Sequence, residues 1–195
     1  MKDLFSCDGK KSDLLKAGLD LFAARGFDAV SVRDIAKAAG VSEAALYKHF
    51  SGKQDMALYI FSSVITAYTG RLDEVHAQPL SAVEKLCRVV NITYGLYESF
   101  PAEIRFALLW QYNWWERVPE ESKPHFVLKA ILQQGMEAGE IPRQEVYFWI
   151  MVFSGIMLQP LAQYPYFRDV LPPLSELGEM VAGTVRKLFG QNPGQ

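Results

Sequence analysis

Cysteine is nearly missing: Cys7 and Cys87 are the two thiols in 195 residues. They are too few for a disulfide framework and too far apart for a CxxC metal or redox site, so a reducing, cytoplasmic setting is expected. Long apolar runs are missing too. The longest, YFWIMVFSGIM over 147–157, falls short of the ~18–20 residues that a membrane span needs. Gln159 and Pro160 follow it closely, and it reads as a buried helix. No apolar segment precedes Cys7, so the "LFSC" at 4–7 reads as chance and not as a lipoprotein leader. A strong charge of one sign is also lacking. The formal net charge is −2, which excludes a protein that coats nucleic acid over its whole surface but leaves room for a local basic patch. His49, His76 and His125 are scattered, with no HExxH, GxSxG, Walker or GxGxxG pattern near them. Neither catalysis nor a metal or cofactor is expected. Asn-Gly turns and period-two alternation, the signals of strands, do not occur.

What is present is apolar residue in quantity and helical periodicity. Half of the residues are hydrophobic, ample for a core in one large domain or two modest ones. The charge is unevenly spread: residues 9–55 hold eight Lys/Arg against six Asp/Glu, whereas 56–195 hold eleven against fourteen. The basic end is N-terminal.

In SDLLKAGLDLFAARG (12–26), Leu14, Leu15, Ala17, Gly18, Leu21, Phe22 and Ala24 fall mostly three and four apart, the period of a helix with one apolar face. Gly26 supplies the left-handed residue that commonly closes a helix. The spacing predicts a second helix over Ser31–Ala39, with the Ser31 hydroxyl accepting from the Asp34 amide. Gly40 makes a turn, Ser42 caps a third helix ending near Phe50, and Ser51 with Gln54 forms a capping box for a long fourth helix to about Val75. From Pro79 onward each proline or proline pair falls near a helix boundary. Helices are predicted over Ser81–Phe100, Ala102–Glu116, Lys123–Gly139, Arg143–Ala162 and Leu174–Leu188.

On the third helix Leu46 and Phe50 share one face, four residues apart. Val41, Ile35 and Ala36 join them in a small core, so Glu43, Ala44, Tyr47 and Lys48 project from the other side. A short helix held by two others, polar outward and with small side chains at its start, suits a DNA major groove. This is a helix-turn-helix.

The run RDIAKAAGVSEAALYKHFSGKQDM (33–56), preceded by AARGFDAVSV (23–32), resembles the N-terminal domain of TetR-type transcriptional regulators. The GF pair, the Ser opening the second helix, the IA…AGVS turn, the LYxHF helix and the following Lys agree at fixed spacing over about Ser12–Tyr59. Beyond it, only helical content, length and the phrase GMEAGEI (135–141) are similar. The resemblance implies an all-α chain: a three-helix helix-turn-helix domain over 9–55, then a larger helical effector-binding and dimerisation domain over 56–190. It sets Tyr47, His49 and Lys53 against phosphates and Ser31 and Arg33 on the opposite wall of the groove. Ser42, Glu43, Ala44, Ala45 and Lys48 would face bases and bear on sequence choice. Glu43 departs from the Lys, Arg or small polar residue expected there; it could accept from cytosine N4 or favour the helix dipole.

The resemblance further implies a homodimer on a palindromic, double-stranded DNA operator, acting as a repressor released by a small-molecule effector. The last two helices, strongly apolar and carrying Gly155, Gly178 and Gly183, are the expected dimer contact. Aromatic residues crowd residues 94–115; such density is usually core, but a cavity would use their flat faces. Tyr94, Phe106, Trp110, Trp114 and Phe153 are the candidate lining of a pocket for an apolar or aromatic ligand. The competing readings are a ligand-independent DNA binder, which calls for more positive charge, and an enzyme, for which no motif speaks.

Overall fold

The computed structural model describes residues 9–109 and 114–190. Helix α1 spans Lys10–Arg25 and buries Leu14, Leu15, Leu19, Phe22 and Ala23. It ends at Gly26, whose φ of 81° is a left-handed value and whose amide donates to Phe22 O. Helix α2 spans Val32–Ala38. Its opening is a full capping box: the Asp34 amide donates to the Ser31 hydroxyl at 3.1 Å, and the Ser31 amide donates to the Asp34 carboxylate at 3.0 Å. Gly40, at φ 67°, turns the chain into the five-residue α3, Glu43–Tyr47, where the Ser42 hydroxyl accepts from the Ala45 amide.

Helix α4 runs over Lys53–His76. Its capping partner differs from the sequence expectation. The amide and hydroxyl of Ser51 both donate to Asp55, at 2.9 and 3.2 Å, and not to Gln54. A carboxylate takes two donors more strongly than a neutral amide oxygen does. Helix α5, Ala82–Ser99, opens on a reciprocal Ser81–Glu84 box.

The helix expected over 102–116 is broken. The structure has a short α6, Pro101–Ile104, that widens into a π turn over Arg105–Leu109, and later single 3-10 turns at Trp115–Arg117 and Glu120–Ser122. Then follow α7 (Pro124–Glu137), α8 (Val146–Phe167) and α9 (Leu174–Phe189). No strand occurs among the described residues.

Two expectations for α8 need correction. The helix runs on past the end predicted at Ala162, through Pro165 as well as Pro160. An internal proline removes one backbone hydrogen bond, and packing along α7 and α9 overrides that local preference. The helix is also mostly unburied. By length and composition it could cross a membrane, but it uses one stripe, Ile150, Phe153, Met157 and Leu161, for packing, and only 28% of its most apolar window is buried.

The chain divides into two compact units, Met1–Ala67 with Phe100–Pro119, and Tyr68–Ser99 with Glu120–Gln195. These differ from the sequence division at residue 55, because α4 contributes to both and the segment after α5 rejoins the first. In the first unit α1 packs against α2, α3, α6 and the π turn; Phe22 stacks on Phe106 with centroids 5.6 Å apart, and Phe61 meets Phe106 edge-on. In the second, α5 lies along α9 and also meets α7 and α8. Gly178 permits the α5–α9 approach: a Cβ there would stand 3.1 Å from that of Tyr94.

Candidate nucleic-acid interface and effector region

Leu46 is wholly buried and Phe50 nearly so, with Ile35 and Ala36 beside them and Val41 half-buried. This inward pair sets the rotation of α3. Ser42, Glu43, Ala44, Tyr47, Lys48 and His49 therefore stand in solvent, Tyr47 at 57% exposure, while Ala45 is half-buried. Ser31 and Arg33 are exposed at the start of α2. The exposed set offers a carboxylate, methyl, phenol, ammonium, imidazole and guanidinium, groups that bond to base edges and phosphates. The Ser31 hydroxyl bond, and then its amide bond, hold the Asp34 carboxyl below its ordinary range.

Lys53 differs from the rest of the sequence-derived set. Its ammonium donates to the carbonyls of Phe27 at 2.9 Å, Asp28 at 3.4 Å and Val30 at 2.8 Å, and lies 4.4 Å from the Phe27 ring centroid. An ammonium has three donors, and all three are directed at the loop between α1 and α2. Lys11 stands over the Tyr59 ring at 4.7 Å and the Phe50 ring at 5.6 Å. It braces the C-terminal side of α3.

The five aromatic candidates for an effector pocket do not come together in one unit. Phe106 and Trp114 belong to the first, Tyr94 and Phe153 to the second, and Trp110 lies outside the described residues. All four described rings are buried. Trp114 meets Phe27 edge-on at 5.1 Å, and Phe153 meets Phe189 at 6.2 Å. Tyr94 donates to Met157 O at 3.2 Å, and burial raises its phenol well above the ordinary range.

Sequence reasoning missed a buried polar cluster around Tyr94. Thr93, on the same helix, bonds to Tyr68 at 2.7 Å and donates to Val89 O, and burial pushes the Tyr68 phenol up to about 12. The signal available was a threonine among apolar residues on the inward face of α5, too common to single out. Also missed was the position of a groove between α8 and α9, about 450 Å³ in volume, lined by Gly155, Gln159, Pro160, Phe167 and Val181 among others. Gly155 and Gly183 meet nothing within 4 Å of a built Cβ. Their openness is toward solvent in the single chain.

The helix-turn-helix lies within the part of the chain that a known family matches. The description of bacterial regulatory proteins of the tetR family matches residues 14–60, from α1 into α4. The uncharacterized HTH-type transcriptional regulator YdeS of Bacillus subtilis is 30% identical over 140 residues, 69% of this chain and 68% of its own. The chain belongs to the TetR family. Within the family, the HTH-type transcriptional repressor KstR2 of Mycolicibacterium smegmatis is 28% identical over 138 residues, 67% of this chain and 66% of that protein. The matches span from 42% to 71% of the length of the curated relatives. Among solved structures, the transcriptional regulator FadR from Bacillus subtilis in complex with stearoyl-CoA superposes with a TM-score of 0.76 at 23% identity, covering 90% of this chain and 97% of that one. This TetR-type fold is therefore shared well beyond the matched N-terminal helices.

Proposed function

We propose that the protein is a cytoplasmic, sequence-specific DNA-binding regulator. It represses by holding a palindromic operator as a homodimer and leaves it when a small apolar or aromatic ligand binds. The observation that carries this reading is the outward face of α3, polar and unburied over Ser42–Lys48 while Leu46 is held inside. Tyr47 and His49 contact phosphates, Ser42, Glu43, Ala44, Ala45 and Lys48 face bases, and Ser31 and Arg33 hold the far wall of the groove.

Dimerisation through α8 and α9 is supported by their exposed apolar side chains, Tyr147, Phe148, Met151, Phe167 and Met180, a patch that monomers seldom leave in water. Two-fold operators require such a two-fold protein. A ligand with a long apolar part is supported by the relative solved with stearoyl-CoA and by the aromatic content of the second unit, where Tyr94 and Phe153 are the first rings to test. Release follows if the ligand binds the DNA-competent and DNA-incompetent states unequally. Helix α4, which starts after α3 and contributes to both units, is the connector.

Selection of duplexes from a random library at fixed moderate salt tests the reading. Recovery of an inverted repeat with half-sites a helical turn or more apart is expected. Retention of duplexes with no shared sequence removes it. A titration of fatty acyl-CoAs, followed by Trp fluorescence and operator release, then separates a ligand-controlled regulator from a ligand-independent one.

A further inference from the structure

We propose that Lys53 acts on DNA binding indirectly, as a positioning residue that sets the loop between α1 and α2 and through it Ser31 and Arg33. The proposal rests on the reading of α2 and α3 as the DNA face. The three donors of its ammonium are used on carbonyls of Phe27, Asp28 and Val30, and the Phe27 ring lies alongside, so no N–H is left for a phosphate.

The arrangement also answers an electrostatic question. A lysine at the first position of α4 faces the positive end of that helix's dipole, which disfavours it. The loop that follows α1 supplies the compensating negative ends of three carbonyls, of which that of Phe27 also accepts from the Val30 amide at 3.4 Å. The loop is thereby pinned from α4. Val30 is buried, and the next residue is Ser31, which caps α2, so the clamp fixes the start of the helix that carries Arg33. The Phe27 ring also meets Trp114 edge-on, at 5.1 Å and 82°. This connects the loop setting to the segment after the π turn within the same compact unit.

A compact ammonium can point at three converging oxygens; a planar guanidinium cannot. The test therefore compares Lys53→Arg and Lys53→Met in the full-length chain, on the operator recovered by the duplex selection. The clamp predicts that Lys53→Arg, with its charge kept, weakens operator binding roughly tenfold and leaves the dependence of log K on log salt unchanged. It also predicts that Arg33→Ala costs much less in the Lys53→Arg background than in the wild type, since Arg33 is already misplaced. Wild-type affinity for Lys53→Arg, together with a Lys53→Met salt slope lower by about 0.9, overturns it and makes Lys53 a phosphate contact.

Amide hydrogen exchange over residues 26–33, without DNA, gives an independent arm. Faster exchange in Lys53→Arg, by about tenfold, supports the clamp; unchanged exchange overturns it. Should the wild type select no operator, the DNA reading fails in the selection while the exchange arm still decides whether the clamp exists. Lys53→Arg also carries the test should Lys53→Met fail to fold.

Discussion

Helices α3 and α8 both leave much of their surface in water, and the two surfaces are opposite in kind. On the five residues of α3 and its C-cap Lys48 the exposed side is carboxylate, phenol and ammonium, anchored by Leu46 and, just beyond the helix, Phe50. On the twenty-two of α8 the exposed row Met151, Gly155, Gln159, Gln163 and Phe167 recurs every four residues and is flanked by Tyr147 and Phe148. A polar face is content in water and gains from a partner only through specific bonds; an apolar face gains from being covered by anything of matching shape. This difference is what supports the proposed DNA face on α3 and the proposed dimer contact on α8.

The largest effect is expected from breaking the α8 face. Gly155→Arg replaces a residue with nothing near its Cβ direction, and arginine is the better helix former, so the fold of the single chain should be retained. In a dimer contact the buried unpaired charge costs about 3–5 kcal/mol. Light scattering after size exclusion should show monomers at micromolar concentration, with operator binding lost. A variant that stays dimeric removes α8 from the interface.

Next in size is the α3 face. Lys48→Ala removes an exposed side chain with no structural duty, so stability should hold while operator affinity falls by about 1–3 kcal/mol. Repeating the duplex selection sharpens the result: relaxed preference at one position of each half-site marks a base contact, and uniform weakening marks a phosphate contact.

The smallest effect concerns what holds the polar face in place. Asp34, bonded to Ser31, and Glu84, bonded to Ser81, both have lowered carboxyl pKa values in the fold. A lowered folded value means stability present above the unfolded pKa and lost as pH falls through the folded one. Glu103 has the opposite sign: burial, then the nearby Asp20 charge, raises its pKa, so its charged form opposes folding at neutral pH. Melting followed from neutral to acid pH should show Ser31→Ala less stable than wild type at neutrality and converging on it in acid. Glu103→Gln should be more stable at neutrality, with the gain vanishing in acid. Parallel curves would place these carboxyls outside the stability of the head.

Much of the head was legible in the sequence because its determinants are local. Gly26 and Gly40 mark left-handed residues, Ser31 and Ser42 stand where orphan amides need acceptors, and Leu46 with Phe50 share a face by helical arithmetic. What was missed there was missed through distance: Lys53 finds its partners at Phe27 and Val30, more than twenty residues away, so no local pattern could announce them. The aromatic candidates are likewise divided by long-range contacts that no local pattern shows. Phe106 and Trp114 fall in one compact unit and Tyr94 and Phe153 in the other, although they read as one aromatic-rich stretch with a later partner. The stretch expected as one helix over 102–116, which holds α6, a π turn and the start of a 3-10 turn, has no Gly or Pro inside it to signal the change.

By itself, then, the sequence determined that the chain is helical, where the first four helices begin and end, and which face of α3 looks outward, since caps, turns and three-to-four spacing act between near neighbours. Only the tertiary structure decided that α8 continues through two prolines with most of its apolar surface uncovered, and that the ammonium of Lys53 serves a loop. Both depend on which surfaces the fold brings into contact, and hydrophobic burial and carbonyl satisfaction are settled only when distant segments meet.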